Sequence, residues 1–232
     1  MKKKIFKFAK LCIDQNRTIV EKKLSIQNFG NVSLKIDDEH FVIKPSGVNL
    51  YKIKVNDMPV IKIKNGNKIF GKLKPSSDTN THLEIYKKYK NINSITHTHS
   101  TYATGWAQTG KSIPLLGTTH ADFWEKEIPN VNFLKQKRVV NDYEKNTGKI
   151  IIETLEKLKL NAYNCSGVLV MGHGPFVWSE KTDGSIKNAE ALEFIAKLAF
   201  ISEQLKVKKK LPTYISNKHY KRKHGKKAYY GQ

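Results

Sequence analysis

The chain has 232 residues, 39% hydrophobic and 10% aromatic, enough apolar surface for a packed core and too much for a disordered segment. Its formal charge of +22 invites nucleic acid or an anionic membrane as partner. The lysines are dispersed, however, dense only at 206–210 and 221–227, and they heavily outnumber arginine, the better bidentate reader of bases and phosphates; this speaks against a specific nucleic-acid partner, and an anionic small substrate is a more modest use of the same field.

Taken in chain order, the N-terminal stretch MKKKIFKFAKLCIDQN has the positive start of a leader, but Lys7 and Lys10 interrupt its apolar run and Asp14 follows. No stretch approaches the ~20 apolar residues of a membrane span, so a cytoplasmic protein without membrane contact is expected. Residues 3–24 read as an amphipathic helix on Ile5, Phe8, Ala9 and Cys12. Short β-rich runs follow at Val32–Ile36, Phe41–Ile43, Met58–Ile63 and Lys68–Leu73, punctuated by Gly30, Gly47, Gly66 and Gly71. Residues 78–89 read as a helix with Ser77 or Asp78 as its N-cap. Ser94–His99 reads as a strand, Tyr102–Gln108 as a short helix and Glu144–Leu158 as a longer one. Gly167–Gly172 is a continuous apolar run of the kind found in buried strands. Ala189–Leu205 carries an apolar face of Leu192, Ile195, Ala196 and Ala199. From Pro212 the tail is basic and aromatic, with no clear period. Cys12 and Cys165 lie far apart and form no CxxC pair, which suits a reducing compartment. With no repeat and no linker, one domain spanning 1–232 is expected, of the α/β class and layered around a central sheet.

Three of the eight histidines stand out. THTHS places His97 and His99 two apart, and on a strand residues i and i+2 share a face. Imidazole is a standard zinc ligand, and three protein ligands leave the open position that a catalytic metal needs. His173, in GVLVMGHGP, stands where an apolar strand meets glycines, and so supplies a third candidate at a strand end. His40 and His82 lack such company and read as structural or surface residues. Three Gly/Ser-rich turns, GNVS (30–33), KPSG (44–47) and PSSD (75–78), are small enough for backbone N–H groups to approach an anion. Lys44 adds charge to one of them, and Ser76 and Ser77 stand at the start of the 78–89 helix, whose dipole favours phosphate.

These segments, with the stretch ATGWAQTGKSIPLLGTTHAD, HGPF and the tail KHYKRKHGKKAYYGQ, occur in one order. In that order the chain resembles the L-ribulose-5-phosphate 4-epimerases of the class II aldolase/epimerase superfamily, from about residue 28 to the last. The resemblance implies an α/β/α fold around a largely antiparallel central sheet, a C4-symmetric homotetramer with active sites between subunits, and zinc held by His97, His99 and His173, with Asp78 as a carboxylate of the metal site. It implies a phosphate pocket of Asn31, Lys44, Ser46, Gly47, Ser76 and Ser77. Asp122 and Tyr230 match the family's acid/base pair, which reaches the site from a neighbouring subunit; His219 and Arg222 match tail residues close to the substrate, so that the tail, 212–232, completes the site. The implied reaction interconverts L-ribulose 5-phosphate and D-xylulose 5-phosphate by cleaving and re-forming the C3–C4 bond, with zinc as Lewis acid. The sequence departs from the family at Gly172, where a Ser or Thr often precedes the histidine. The nearest rival is an aldolase of the same superfamily, such as L-fuculose-1-phosphate aldolase; Asp78, where those aldolases have a glutamate, and the AYYGQ tail favour the epimerase. A rival of another class, a non-enzymatic RNA-binding protein, needs Arg and aromatics clustered on one face, which the dispersed lysines do not provide.

Overall fold

The computed structural model describes residues 1–224 and 228–230, so Gly231 and Gln232 of the AYYGQ motif lie outside the described residues. The chain opens with helix α1 (Lys2–Glu21), in which Ile5, Ala9, Cys12, Ile13, Asn16 and Ile19 recur every three to four residues and are buried. Strands β1 (Asn31–Asp37), β2 (His40–Ile43), β3 (Val60–Lys62) and β4 (Lys68–Phe70) follow as a meander. Then come α2 (Thr79–Lys88), β5 (Ser94–His97), α3 (Thr101–Thr109) and α4 (Thr118–Ala121). The second half runs β6 (Asn130–Val131), α5 (Gln136–Val140), α6 (Tyr143–Lys157), β7 (Gly167–Val170), β8 (Gly174–Ser179), α7 (Gly184–Gln204) and α8 (Thr213–His224).

The strands form one sheet in the order β4-β3-β2-β1-β5-β8-β7-β6. Every pairing is antiparallel except that of β6 with β7. Thr96 of β5 meets Ser185 of α7 at 2.8 Å, whereas Ser33 of β1 meets His82 of α2 at 2.7 Å. Thr96 pairs with Val32, and the next residue, Ser33, points to the other side of the pleat. Helix α7 therefore covers one face, with α1 and α3 packed beside it, and α2 with α6 covers the other. The core fills both gaps: Phe41, Trp178, Phe176, Tyr86 and Ile95 are all at most 1% exposed.

Element ends differ from the sequence reading for local reasons. The strand expected over Ser94–His99 stops at His97, because the chain leaves the sheet to reach Ser100, the N-cap of α3. The run expected to be strand through Gly172 stops at Val170, since Met171 and Gly172 turn the chain into β8. Helix α7 starts at Gly184, five residues before its expected start. Both β8 and α8 went unanticipated. In β8 the Pro175 ring follows one glycine into the strand, a place where a missing N–H is tolerated. In α8 only Ser216 and Tyr220 are buried, so there is no apolar stripe to read.

The strand expected over Lys68–Leu73 ends at Phe70 because Gly71 adopts φ +92°. A Cβ there would lie 2.3 Å from the Met58 carbonyl oxygen and 2.5 Å from its carbon. Those are backbone atoms and cannot rotate away. Gly71→Ala is expected to lower stability by about 2–4 kcal/mol, combining left-handed strain with overpacking. Thermal unfolding should register this as a Tm drop of roughly 2–4 °C per kcal/mol for a chain of this size; an unchanged Tm would mean that the turn relaxes freely.

Candidate active site

Three strand ends build the first group. Asn31 opens β1 and pairs with His97, the last residue of β5, which pairs in turn with Phe176 of β8. His97 is fully buried, its ring stacked on Phe176 with centroids 4.1 Å apart and planes at 14°. Its Nδ1 lies 2.9 Å from the Pro175 carbonyl oxygen. A carbonyl only accepts, so Nδ1 carries the ring proton and Nε2 presents a lone pair.

His99 lies beyond the end of β5, so a shared strand face does not align it with His97; the turn toward α3 does. The two Nε2 atoms stand 3.1 Å apart. His173 enters from the β7–β8 turn, behind Gly172 at φ +70°, and its ring centroid is 4.6 Å from that of His97 and 5.3 Å from that of His99. One nitrogen from each of the three rings lies within 4.8 Å of the others. Burial holds all three below the ordinary histidine range; the neighbouring His173 adds to the effect at His97 and His99. At His173, Asp78 and Glu144 pull the other way. Neutral imidazoles with converging ring nitrogens are what a divalent ion requires, and the donor set fits one.

Asp78 stands beside that group and outside it. As N-cap of α2 it makes no side-chain cap bond; its Oδ2 instead accepts from Asn31 Nδ2 at 2.7 Å. Lys44 is only 3% exposed and donates from Nζ to the Asn28 carbonyl oxygen at 2.7 Å. Burial lowers its pKa and Asp78 counters that. The three small-residue turns converge here. Ser46 N donates to Lys74 O at 3.0 Å, Ser76 N to Lys44 O at 2.9 Å, and Lys44 N to Val32 O at 3.3 Å. Ser76 is buried, while Ser46, Gly47 and Ser77 are open to solvent. A Cβ on Gly47, at φ +61°, would meet nothing within 4 Å, so the turn faces open space.

His82 and His40 lie apart from this chemistry. His82 Nδ1 is 2.7 Å from Ser33 Oγ, and burial pushes its pKa down to about 3. His40 Nδ1 lies 2.9 Å from Asp37 Oδ1.

The second group is built by α4 and α8. Asp122, just past α4, accepts from Arg222 Nε at 2.9 Å and from Nη2 at 2.6 Å, one oxygen each. His219 Nδ1 is 3.2 Å from the same carboxylate, Lys223 Nζ is 4.0 Å away, and His224 Nε2 donates to the Asp122 carbonyl oxygen at 2.9 Å. Burial pushes the Asp122 carboxyl up, but Arg222, His219 and Lys223 outweigh it and hold the group below the usual carboxylate range. Tyr230 lies over the Arg222 guanidinium, 4.2 Å from ring centroid to Cζ. Asp122, Tyr230, Lys223, His224 and Trp178 share a cavity of about 450 Å³ that none of the three clustered histidines lines. Of the residues singled out in the sequence, the structure thus brings His97, His99, His173, Asp78, Asn31, Lys44 and Ser76 together, and gathers Asp122, His219, Arg222 and Tyr230 elsewhere in the chain.

Tyr143 and Glu144 escaped the sequence reading. They open α6, where Glu144 acts by charge on His173 and the Tyr143 ring centroid is 6.3 Å from that of His173. No motif marks them; only an acidic residue in the first helical turn hinted at an interaction there.

Residues 10–200 match the family model described as Class II Aldolase and Adducin N-terminal domain. The chain is 42% identical over 229 residues to L-ribulose-5-phosphate 4-epimerase UlaF of Salmonella paratyphi B, covering 97% of this chain and 99% of that protein. Among solved structures, an L-fuculose 1-phosphate aldolase superposes with a TM-score of 0.76 at 24% identity, covering 92% of this chain and 94% of that one. The aldolase/epimerase/decarboxylase-like YgbL of Escherichia coli superposes with a TM-score of 0.73 at 21% identity, covering 92% and 98%. At such identities these two structures speak to the fold.

Proposed function

Because the chain belongs to the class II aldolase and adducin family, and within it to the L-ribulose-5-phosphate 4-epimerases, we propose that this isomerase interconverts L-ribulose 5-phosphate and D-xylulose 5-phosphate. The observation that carries the reading is the convergence of three neutral imidazoles beside a buried lysine and two small-residue turns. The reaction is C3–C4 cleavage and re-formation, since the C4 hydrogen is not next to the carbonyl and is hard to remove directly.

His97, His99 and His173 would hold the metal, zinc by the donor set, and such an ion supplies Lewis-acid stabilisation of negative charge developing on the ketone oxygen. Asn31 orients Asp78 at the edge of that group. Lys44, Ser46, Gly47, Ser76 and Ser77 bind the phosphate: the first by charge, the others by hydroxyls and backbone N–H groups at the N-terminus of α2. That grip keeps the aldehyde fragment in the site while it rotates to present its other face. The base that faces the C4 hydroxyl takes its proton as the C3–C4 bond breaks. After rotation, a group on the opposite face returns a proton to the C4 oxygen as the bond re-forms. Asp122 and Tyr230 fill these two roles.

Within one chain this pair sits in a cavity without the three histidines. That separation supports a closed cyclic homotetramer in which Asp122 and Tyr230 serve a neighbour's metal site. The unit is then one domain, 1–232, with 212–232 as its contribution to the next subunit.

The direct test is conversion of L-ribulose 5-phosphate to D-xylulose 5-phosphate before and after chelation, with restoration by added metal; no conversion by the metal-loaded protein would overturn the assignment. Lys44→Met should raise KM for the sugar phosphate by roughly 10- to 100-fold, the worth of a charge-assisted hydrogen bond of about 1.5–3 kcal/mol. Steady-state kinetics decides it: an unchanged KM would place the phosphate elsewhere.

A further inference from the structure

Arg222 resembles a substrate-contacting residue in sequence, yet in the structure its guanidinium, though partly exposed, is engaged by other residues of the same chain. Its Nε and Nη2 form a two-point fork on the Asp122 carboxylate at 2.9 and 2.6 Å. Its flat face carries the Tyr230 ring, 4.2 Å from Cζ to centroid. Its carbonyl oxygen accepts from Tyr229 N at 3.0 Å and from Tyr230 N at 3.2 Å. Edge, face and main chain of one residue thus reach both members of the acid/base pair.

We propose that Arg222 is a positioning residue that ties Asp122 and Tyr230 into one unit and does not bind the substrate. The tie rests on reading those two as the acid/base pair. Lysine cannot replace it, having neither a planar fork nor a flat face. The composition is consistent with this: in a chain so rich in lysine there are three arginines, Arg17, Arg138 and Arg222, and this position is one that needs a guanidinium. The tie also gives Tyr229 and Tyr230 a main-chain partner on α8.

The charged groups facing Asp122 come from α8, namely His219, Arg222 and Lys223. Glu180, Lys181 and Lys187 line the same cavity from the β8–α7 side. With Arg222 removed, Asp122 loses the strongest of its favourable partners and binds its proton at higher pH.

The experiment uses full-length Arg222→Met and Arg222→Lys, alone and combined with Asp122→Asn, with Tm measured to confirm folding. In Arg222→Met, kcat should fall about 100-fold, KM should stay within about threefold, and the acid limb of the kcat/KM profile should move to higher pH. In Arg222→Lys the acid limb should stay close to that of the native chain while kcat still falls, on the order of tenfold. The Arg222→Met/Asp122→Asn double variant should lose less than the product of the two single losses, because part of the Arg222 effect runs through Asp122 and only the part that runs through Tyr230 is left to lose. A KM rise of tenfold or more with kcat retained would make Arg222 a substrate contact and overturn the tie, as would additive losses in the double variant. Should Asp122→Asn and Tyr230→Phe themselves epimerise normally, the acid/base reading fails, and carboxypeptidase trimming then judges the tie alone. Faster trimming of the Arg222→Met tail supports it; trimming at the native rate overturns it.

Discussion

His173→Ala should lower epimerisation by about 10³-fold or more and, at the same time, remove most of the bound divalent metal. The size follows from losing Lewis-acid stabilisation worth several kcal/mol, about 1.4 kcal/mol for each factor of ten. His173 is the most informative of the three to remove. It is only half-buried, and its Nδ1 has no hydrogen-bond partner among the described residues, so the fold loses little with the ring. His97 is a poorer choice, because its imidazole also stacks on Phe176 and donates to the Pro175 carbonyl oxygen. Elemental analysis of purified variant and native chain gives a readout independent of turnover. Chelation followed by added metal should restore the native protein and leave the variant slow. A variant that keeps its full metal content, or its rate, would remove His173 from the ligand set.

The second large effect concerns Tyr230. Tyr230→Phe should slow epimerisation by roughly 10²–10⁴-fold, the usual worth of a positioned proton donor or acceptor. The phenyl ring can still lie over Arg222, so the tail should keep its place while the hydroxyl is lost. Aldol condensation of dihydroxyacetone with glycolaldehyde phosphate should survive in part, because the histidine site and the phosphate turns are untouched. Asp122→Asn should show the same division between the two reactions, since it too acts on the C4 oxygen. The shared-site arrangement adds a stricter condition. Mixing His173→Ala chains with Tyr230→Phe chains should regenerate activity in mixed assemblies, since a sound histidine site can then meet a sound tyrosine. Native epimerisation by Tyr230→Phe, or a fully active monomer by light scattering, would remove the subunit-shared mechanism.

Much of this was visible in the sequence where local rules act. The 3–4 spacing of Ile5, Ala9 and Cys12 gave α1, and the apolar run GVLV gave β7. The histidine pair is visible as HxH, although a common strand face covers His97 alone. The loop to α3 brings His99 round, and no periodicity predicts a loop. Convergence of the turns at 44–47 and 75–78 depends on an antiparallel bridge between Pro45 and Pro75, which short-range patterns do not encode. The Asp122–Arg222 fork joins residues 100 positions apart, so local patterns suggested each residue and not the pair. Helix α8 stayed hidden for another reason. It is polar nearly all round, and such a helix carries no stripe for a periodic reading to find.

The strand order has a consequence for how the chain is made. β5 pairs on one side with β1, which precedes it, and on the other with β8, which is synthesised much later. His97 depends on the Pro175 carbonyl, 78 residues downstream, to fix its proton. At about 5–20 residues per second, a ribosome needs roughly 4–16 s to cover that interval. Throughout that time the nascent chain carries His97 and His99 with neither their third companion nor the acceptor that orients them. Closure of the centre thus waits for a long-range antiparallel pairing of the kind that forms slowly. An ion held by these three histidines would enter at the end of folding, captured by a nearly finished sheet, and would stabilise the native chain by mass action without nucleating it.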